Sequence, residues 1–412
     1  MSSALVVIID GCNEDYVNRA AMPFVEGLKR RGSYVAMEST PGFDHRPALF
    51  TGLSARTTNS FVAFCFKPRV FYRGLYRWLR PPLTWHTGWP QIGPLVSLLG
   101  YLRTGVWSKS DDISLLTAAY YAITNTWVDF GCIPLVLLPH VAVDRSLLCY
   151  QRMERERSHD HLFGILRESG VEMHFLYNKA ERMADSALGT AGLSGRPAVW
   201  ILHYGESDSV GHQFGPNSQQ MSATLRNIDS SIRDVYTAMQ REVDFLLLLS
   251  DHGMIEVEAD IDVWGALQSL DAEIVRDYLV FLNSPLARFW FRTAQAEREV
   301  RQVLDRFQGF GRVVSKDEMA ARGVPTDDRY GEVIFWTRPG VNIWPNFYHR
   351  RPVRGMHTYF DHTDVVPLLL HHREARWGLA DPASLIDVTP TLLDLLGIAI
   401  PPMDGRSVLV RS

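Results

Sequence analysis

Cysteine and long apolar runs are both scarce in this chain, and each shortage excludes a class of protein. The 412 residues include four cysteines, which lie far apart and lack the spacing of a metal site or of a disulfide framework. The best candidate for a membrane span, residues 133–143, is short and is interrupted by Pro134 and Pro139. The first residues form no signal-peptide pattern. We therefore expect free thiols, no transmembrane helix and a cytoplasmic location.

Acidic residues are missing from one long stretch of this chain. The chain as a whole has a formal net charge of −4, and this negative charge argues against a specific nucleic-acid partner. Residues 45–109 contain no Asp or Glu and combine lysine and arginine with many aromatic residues. A predicted helix in this stretch has arginines on one face, at positions 69, 73, 77 and 80. Two interpretations stay open: a solvated face whose apolar stems pack on the core, or a surface at 61–110 for anionic lipid or an extended anionic substrate.

Short apolar runs alternate with helical patterns, and this alternation predicts an α/β fold. Residues 5–9, 198–202 and 245–249 are apolar throughout, as expected for strands that are buried on both faces of a parallel sheet. Helical patterns separate these runs. We expect a mostly parallel central sheet with helices on both faces.

The predicted core is discontinuous in sequence. Segments 1–60, 151–257 and 349–412 supply the strands and helices of the sheet. Residues 61–150 are expected to form a mainly helical, aromatic-rich insertion, and residues 258–348 a small α+β cap. The insertion would cover the sheet edge or the mouth of a site.

Polar residues directly follow several of the predicted strands. Asp10 follows the first strand and Asp251-His252 follows a later one, where an open α/β sheet places its chemistry. Asp208 and His212 lie four residues apart, in a loop or a first helical turn. Each of these sites alone is more often a turn or a helix cap. With the late His357, however, they supply the carboxylates and imidazoles that would hold two borderline metal ions such as zinc.

A set of motifs in a fixed order resembles the alkaline phosphatase superfamily, and within it the type I phosphodiesterase/nucleotide pyrophosphatase group. The motifs are Val-Val-Ile-Ile-Asp-Gly at 6–11, Phe-Thr-Gly-Leu at 50–53, Asp-Ser-Val-Gly-His-Gln-Phe-Gly-Pro at 208–216, Ser-Asp-His-Gly-Met at 250–254, Gly-Met-His at 355–357 and Asp-Val-Thr-Pro-Thr-Leu-Leu-Asp-Leu-Leu-Gly at 387–397. They cover the predicted sheet core and leave out residues 61–150.

The resemblance implies a ligand set and a mechanism. One divalent ion would be bound by Asp208, His212 and His357, and the other by Asp10, Asp251 and His252. Both ions would be zinc, with manganese as the alternative. In the family a Thr or Ser hydroxyl attacks phosphorus, and water then hydrolyses the phospho-enzyme.

The position of the nucleophile departs from the family pattern. In the family the hydroxyl lies nine residues before the Thr of the Thr-Gly-Leu turn, and counting back from Thr51 gives Gly42. The nearest hydroxyls are those of Thr40 and Ser39. We predict that Thr40 is the nucleophile, with Ser39 as the second choice.

The expected function is hydrolysis of phosphate esters, most simply as a phosphodiesterase or pyrophosphatase acting on a small phosphate ester or a nucleotide-like substrate. A phosphomonoesterase or a phosphonate hydrolase would use the same chemistry. The alternative from another class is a catalytically degenerate relative that binds anionic lipid, because Gly42 lacks a hydroxyl and residues 61–110 are basic and aromatic.

Overall fold

The computed structural model describes residues 2–18, 20–42, 45–62, 64–66, 133–134, 137, 140–143, 161–177, 179–190 and 197–411. The strands are β1 (Ala4–Ile9), β2 (Ser33–Glu38), β3 (Phe64–Phe66), β4 (Val141–Val143), β5 (Glu172–Tyr177), β6 (Ala198–Tyr204), β7 (Phe245–Leu249), β8 (Ile255–Glu256), β9 (Ala259–Ile261), β10 (Tyr278–Leu282), β11 (Leu286–Phe291), β12 (Gly311–Val314), β13 (Val333–Thr337), β14 (Val341–Ile343), β15 (Gly355–Met356), β16 (Val365–His372), β17 (Gly378–Leu379), β18 (Ala383–Ser384) and β19 (Leu409–Val410).

The α-helices are α1 (Pro23–Arg31), α2 (His45–Thr51), α3 (Ala55–Thr58), α4 (Leu162–Glu168), α5 (Ala180–Leu188), α6 (Glu206–Phe214), α7 (Gln219–Met239), α8 (Val263–Leu267), α9 (Ala294–Asp305), α10 (Lys316–Ala321) and α11 (Val388–Leu396). Short 3-10 helices occur at Glu14–Tyr16 and Leu385–Asp387. Within the described ranges, no helix is both long enough and apolar enough to cross a membrane.

A seven-stranded sheet in the order β18-β2-β16-β7-β1-β6-β5 forms the centre of the molecule. The central strand β1 pairs in parallel with β6 on one side and β7 on the other. Strand β16 runs antiparallel to both of its neighbours, β2 and β7. The predicted mostly parallel sheet is therefore confirmed, with one reversed strand inside it.

Both faces of this sheet are covered. Alternate side chains of β1 belong to different hydrophobic clusters: Ala4, Val6 and Ile8 pack with residues of α2, α4 and α11. Their neighbours Leu5, Val7 and Ile9 pack with residues of α1, α5 and α7. Because successive side chains of a strand point to opposite faces, the two clusters are the two helical layers, as predicted.

The parallel strands β1, β6 and β7 end at one edge of the sheet. Ile8 is in register with His203 of β6 and with Leu249 of β7. The residues that follow these strands therefore lie side by side. This edge is where the fold brings Asp10, α6 and the Asp251-His252 turn together.

A second, four-stranded antiparallel sheet in the order β10-β11-β13-β12 lies within the predicted cap. Its apolar side chains form a cluster that also includes Phe64, Ile133 and Leu137 from the predicted insertion. Strands β3 and β4 pair antiparallel in that insertion, which was expected to be mainly helical. The arginine-bearing helix and most of residues 61–150 lie outside the described residues, so the domain boundaries and the helical content stay predictions.

The sheet edge should depend on the burial of β7. Replacing Leu248 with Ala removes a fully buried side chain beside β1 and should lower the free energy of unfolding by about 2–5 kcal/mol. The matched control is Leu188→Ala, because Leu188 is 46% exposed at the end of α5 and its loss should cost less than about 0.5 kcal/mol. Urea denaturation measures both. Equal effects of the two substitutions would contradict the assigned burial.

Candidate active site

The edge of the central sheet brings all six predicted ligand residues together. One group consists of Asp208, His212 and His357, and a second consists of Asp10, Asp251 and His252. Within each group the nitrogen and oxygen atoms that could bind an ion all lie within 4.8 Å of one another. These are the two groupings that the sequence predicts. A third grouping, His45 with His252 and His357, meets the same distance limit and was not predicted.

Asp10 contacts two imidazoles, those of His203 and His252. Its Oδ2 lies 3.1 Å from Nε2 of His203, and its Oδ1 lies 2.9 Å from Nε2 of His252. Burial alone raises the pKa of Asp10, but the hydrogen bonds and positive charge of these two imidazoles outweigh burial and hold that pKa well below its usual range. Asp10 is therefore an ionised carboxylate in a buried position.

Asp251 has the opposite tendency. Burial, followed by the negative charge of Asp10, raises the pKa of Asp251 to about 6. The same cluster raises the pKa of His252 well above its usual value, because the charges of Asp251 and Asp10 outweigh the effect of burial. Burial and the charge of Asp10 thus favour the protonated form of Asp251 over its usual range.

The turn after β7 is fixed by contacts with the turn after β1. The side-chain amide of Asn13 donates to the carbonyl of Met254, and its Oδ1 accepts from the Met254 backbone N–H. The Ser250 hydroxyl donates to the carbonyl of His252 and accepts from the Cys12 backbone N–H. These bonds fix Asp251 and His252 against Asp10.

Helix α6 presents Asp208 and His212 on one face, four residues apart. The Oδ1 of Asp208 lies 3.1 Å from Nε2 of His212, 3.9 Å from Nε2 of His357 and 4.0 Å from Nε2 of His252. The helix approaches β1 closely because Gly11, at a φ of +69°, has no side chain: a Cβ there would lie 3.1 Å from the Cα of Asp208. The prediction of a loop or a first turn for this segment was too short.

His357 is oriented by a strained neighbour. Thr358 has a φ of +68°, which is unusual for a β-branched residue. Its hydroxyl donates to the carbonyl of Gly42, and its carbonyl accepts from the indole N–H of Trp336 in the second sheet. The second sheet thereby fixes the backbone beside a predicted ligand.

Hydrogen bonds at Nδ1 determine which imidazole nitrogen faces the centre. Nδ1 of His212 lies 2.8 Å from the carbonyl of Gly355, and Nδ1 of His252 lies 2.9 Å from the carbonyl of Gly253. Nδ1 of His357 lies 2.7 Å from the Thr358 hydroxyl oxygen, whose own proton is used on Gly42. Because carbonyls only accept, Nδ1 carries a proton in each ring, and Nε2 is the ligand atom.

These features fit two divalent cations. Oδ1 of Asp208 is buried and has no hydrogen-bond partner within the described ranges, although three Nε2 atoms surround it. A buried carboxylate oxygen in that position is suited to binding a cation. Mixed imidazole and carboxylate donors are those that zinc and neighbouring transition metals prefer.

The candidate nucleophiles follow β2 directly. The Ser39 hydroxyl donates to the carbonyl of Asp251 at 2.5 Å, while the Thr40 hydroxyl lies 3.4 Å from Nδ1 of His45. Gly42 cannot be replaced by a hydroxyl residue, because its φ is +106° and a Cβ would lie 2.8 Å from the carbonyl oxygen of Phe61. Position 42, where the family pattern places the nucleophile, therefore has no room for a side chain in this protein.

Three histidines at the site were not predicted from the sequence. His203 is fully buried beside Asp10, His45 packs on His252 with ring centroids 4.9 Å apart, and His349 packs on His212 at 5.4 Å. None belongs to a motif. Only His203 had a signal, since it is a polar residue that ends an apolar strand next to β1.

The raised pKa of Asp251 predicts a stability difference that metal should reverse. Its value of about 6 in the folded chain exceeds about 3.9 in the unfolded chain, so the stabilisation from the bound proton is present below pH 4 and is lost as the pH rises through about 6. Without metal at pH 8, Asp251→Asn should be more stable than the wild type by about 2–3 kcal/mol. The difference in the free energy of unfolding between the variant and the wild type should be smaller at pH 5.

Added zinc should then stabilise the wild type more than the variant, because only the wild type keeps the carboxylate ligand. Urea denaturation with EDTA, and separately with zinc, measures both differences. Asp305→Asn, at an exposed end of α9, is the matched control and should change neither. A variant that gains as much from zinc as the wild type would contradict a ligand role for Asp251.

Comparison with known structures shows the fold. The mouse ectonucleotide pyrophosphatase/phosphodiesterase 5, solved as an inactive form in complex with AMP, superposes with a TM-score of 0.64 at 17% identity over 100% of both chains. The human protein of the same name superposes with a TM-score of 0.61 at 17% identity, over 98% of this chain and 97% of that one. The predicted α/β architecture agrees with both.

Curated relatives match over short segments. GPI ethanolamine phosphate transferase 2 of Saccharomyces cerevisiae is 32% identical over 110 residues, which are 26% of this chain and 12% of that protein. The catalytic subunit of the human transferase of that name is 32% identical over 96 residues, which are 22% of this chain and 9% of that protein. The chain thus matches only a small part of the length of these relatives.

The family model for type I phosphodiesterase / nucleotide pyrophosphatase matches residues 4–360. This range includes the ends of β1, β6 and β7 and all six residues of the two ligand groups. The chain therefore belongs to the type I phosphodiesterase/nucleotide pyrophosphatase family.

Proposed function

We propose that this protein is a metal-dependent phosphodiesterase or pyrophosphatase that uses Thr40 as its nucleophile and two divalent cations. The observation that supports this most directly is the pair of ligand groups, Asp208/His212/His357 and Asp10/Asp251/His252, at the carboxyl edge of the sheet. Chains of this family that keep both groups have the means to neutralise a phosphate and activate a hydroxyl.

The ions would supply positive charge for the phosphoryl oxygens and would lower the pKa of a bound hydroxyl or water. The residues of this chain orient that charge. His203 and His252 keep Asp10 ionised, and the Asn13 bonds to Met254 fix the turn that carries Asp251. Arg46, 4.0 Å from Oδ2 of Asp10, adds a cation at the edge where an anionic substrate would approach.

Thr40 is favoured over Ser39 as nucleophile by its hydrogen bonds. The Ser39 hydroxyl is buried and donates to the carbonyl of Asp251 at a short distance of 2.5 Å. Attack by Ser39 would require that bond to break. Thr40 is half-buried, and its hydroxyl contacts only an imidazole at 3.4 Å among the described residues. Its oxygen is thus the more accessible of the two.

Zinc is the proposed metal, with manganese as the second choice. One group offers one carboxylate and two imidazoles, and the other offers two carboxylates and one imidazole. Imidazole nitrogen favours zinc over magnesium or calcium, whereas the second, oxygen-rich group would also accept manganese.

Two substrate classes have specific support. The AMP complex of the mouse structural neighbour supports a nucleotide-like phosphodiester or pyrophosphate. The short matches to GPI ethanolamine phosphate transferase 2 support a second candidate, transfer of a phosphoethanolamine-type group to an acceptor hydroxyl. Both start with attack on a phosphodiester, and they differ in whether water or another hydroxyl takes the phosphoryl group. Binding of anionic lipid by residues 61–110 and a cytoplasmic location stay predictions.

Hydrolysis of bis(p-nitrophenyl) phosphate tests the reaction and the nucleophile together. The wild type should turn this diester over faster than p-nitrophenyl phosphate, and EDTA should abolish turnover. Thr40→Ala should lower kcat/KM by about 10³-fold or more, because it removes the attacking oxygen. Ser39→Ala is the matched control and should keep most of the activity.

Three outcomes would redirect the proposal. Full activity of Thr40→Ala with loss in Ser39→Ala would move the nucleophile to Ser39. Faster turnover of the monoester would identify a phosphomonoesterase. Release of p-nitrophenol that rises with an added alcohol, with the alkyl p-nitrophenyl phosphate diester as product, would identify a transferase.

A further inference from the structure

His45 is a buried imidazole at the centre of the site whose role the family pattern leaves open. It is 3% exposed and begins α2. Its ring lies 4.9 Å from that of His252 and 6.0 Å from that of His357, centroid to centroid. It lies between Thr40 and Thr51, which are separated by two more residues than the family spacing. The residue is therefore a feature of this chain's own turn.

The hydrogen bonds of Ser39 determine the tautomer of His45. The Ser39 hydroxyl proton is used on the carbonyl of Asp251, because a carbonyl can only accept. The Ser39 oxygen lies 3.3 Å from Nδ1 of His45 and can then only accept from it. Nδ1 consequently carries the proton of the neutral ring, and the lone pair is on Nε2.

The Nε2 atom of His45 is buried and finds no hydrogen-bond partner in the part of the chain that the structure describes. A buried lone pair without a donor is costly. The donor atoms of His45, His252 and His357 lie within 4.8 Å of one another. His45 shares one feature with the three predicted histidine ligands: an oxygen lies against Nδ1, which leaves Nε2 as the nitrogen that can bind an ion.

We infer that His45 is an additional protein ligand, through Nε2, of the divalent ion proposed to bind Asp10, Asp251 and His252. This inference rests on the two-ion centre proposed above and adds a residue to it. The ring of His45 lies closer to His252 than to His357, which favours this ion over the other one. With His45 the ion would have imidazole nitrogens as well as carboxylate oxygens among its protein ligands, the donor types that zinc accepts.

The proposed ligand role of His45 has a consequence for Thr40, the proposed nucleophile. As a ligand through Nε2, His45 would keep its Nδ1 beside the Thr40 hydroxyl oxygen, 3.4 Å away. His45 therefore binds the ion and positions the hydroxyl at the same time.

Zinc titration of the whole protein tests the inference. After EDTA treatment and its removal, the wild type should bind two equivalents of zinc in competition with a chromophoric chelator. His45→Ala should still bind one equivalent as the wild type does, while the Kd of the other should rise at least about 10-fold. His371→Ala removes a half-buried histidine on β16 and should leave both constants unchanged.

Two further variants separate ligation from packing. His45→Gln keeps a polar side chain of similar length and should raise the Kd for zinc as much as His45→Ala does. If the alanine variant fails to fold, the glutamine variant provides the same test. Ser39→Ala removes the oxygen that orients Nδ1 of His45. It should raise the Kd of the same zinc equivalent, but by less than the His45 substitutions do. Cobalt in place of zinc should give a weaker visible absorption in the His45 variants, because an imidazole is lost from one site.

The outcomes distinguish this inference from the proposal beneath it. A wild type that binds two equivalents, with unchanged constants in both His45 variants, would overturn the role of His45 and leave the two-ion centre intact. A wild type that binds no zinc or manganese would overturn the centre, and the role of His45 with it. Weakening of the other equivalent alone would overturn the assignment of His45 to the Asp10 site.

Discussion

The burial of three carboxylates at one edge of a parallel sheet is the constraint on which the site depends. Asp10 and Asp251 are almost fully buried, and Asp208 has a buried oxygen that accepts no hydrogen bond within the described ranges. Buried negative charge is unfavourable unless cations or donors surround it. Imidazoles supply part of the compensation, and the pKa of Asp251, raised to about 6 by burial and the charge of Asp10, reflects the remaining cost. Divalent cations would complete the compensation.

The surrounding structure positions these groups and prevents their relaxation. Asn13 and Ser250 connect the turns after β1 and β7 through buried hydrogen bonds. Trp336 of the second sheet and the carbonyl of Gly42 fix Thr358 in a left-handed conformation beside His357. A β-branched residue keeps that conformation only where neighbouring contacts determine it. The second sheet therefore contributes to the geometry of the site as well as to the fold.

Sequence reasoning predicted the parts of the fold that leave a local signal. The strands β1, β6 and β7 are uninterrupted apolar runs because both of their faces are buried, and the chain direction places Asp10 and Asp251 at their carboxyl ends. The antiparallel orientation of β16 could not be predicted, because the apolar pattern of a strand does not show whether it runs parallel or antiparallel to its neighbours. Helix α6 spans Glu206–Phe214, whereas a loop or a first helical turn was expected for this segment.

The unpredicted site residues are those whose role arises from tertiary contacts. His203 reads as a core histidine until the register of β6 places it beside Asp10. His45 lies in a turn whose length differs from the family pattern, so no motif aligns with it. The nucleophile is uncertain from sequence for the same reason, and the structure adds that Gly42 cannot hold a side chain.

Anomalous diffraction at the zinc edge, from crystals of the full chain grown with zinc, is the most direct test of the central claim. The account predicts two peaks, one bonded to Asp208, His212 and His357 and one bonded to Asp10, Asp251 and His252, with ligand distances of about 2.0–2.2 Å. The absence of peaks at this edge of the sheet, or a single peak away from these six residues, would contradict it.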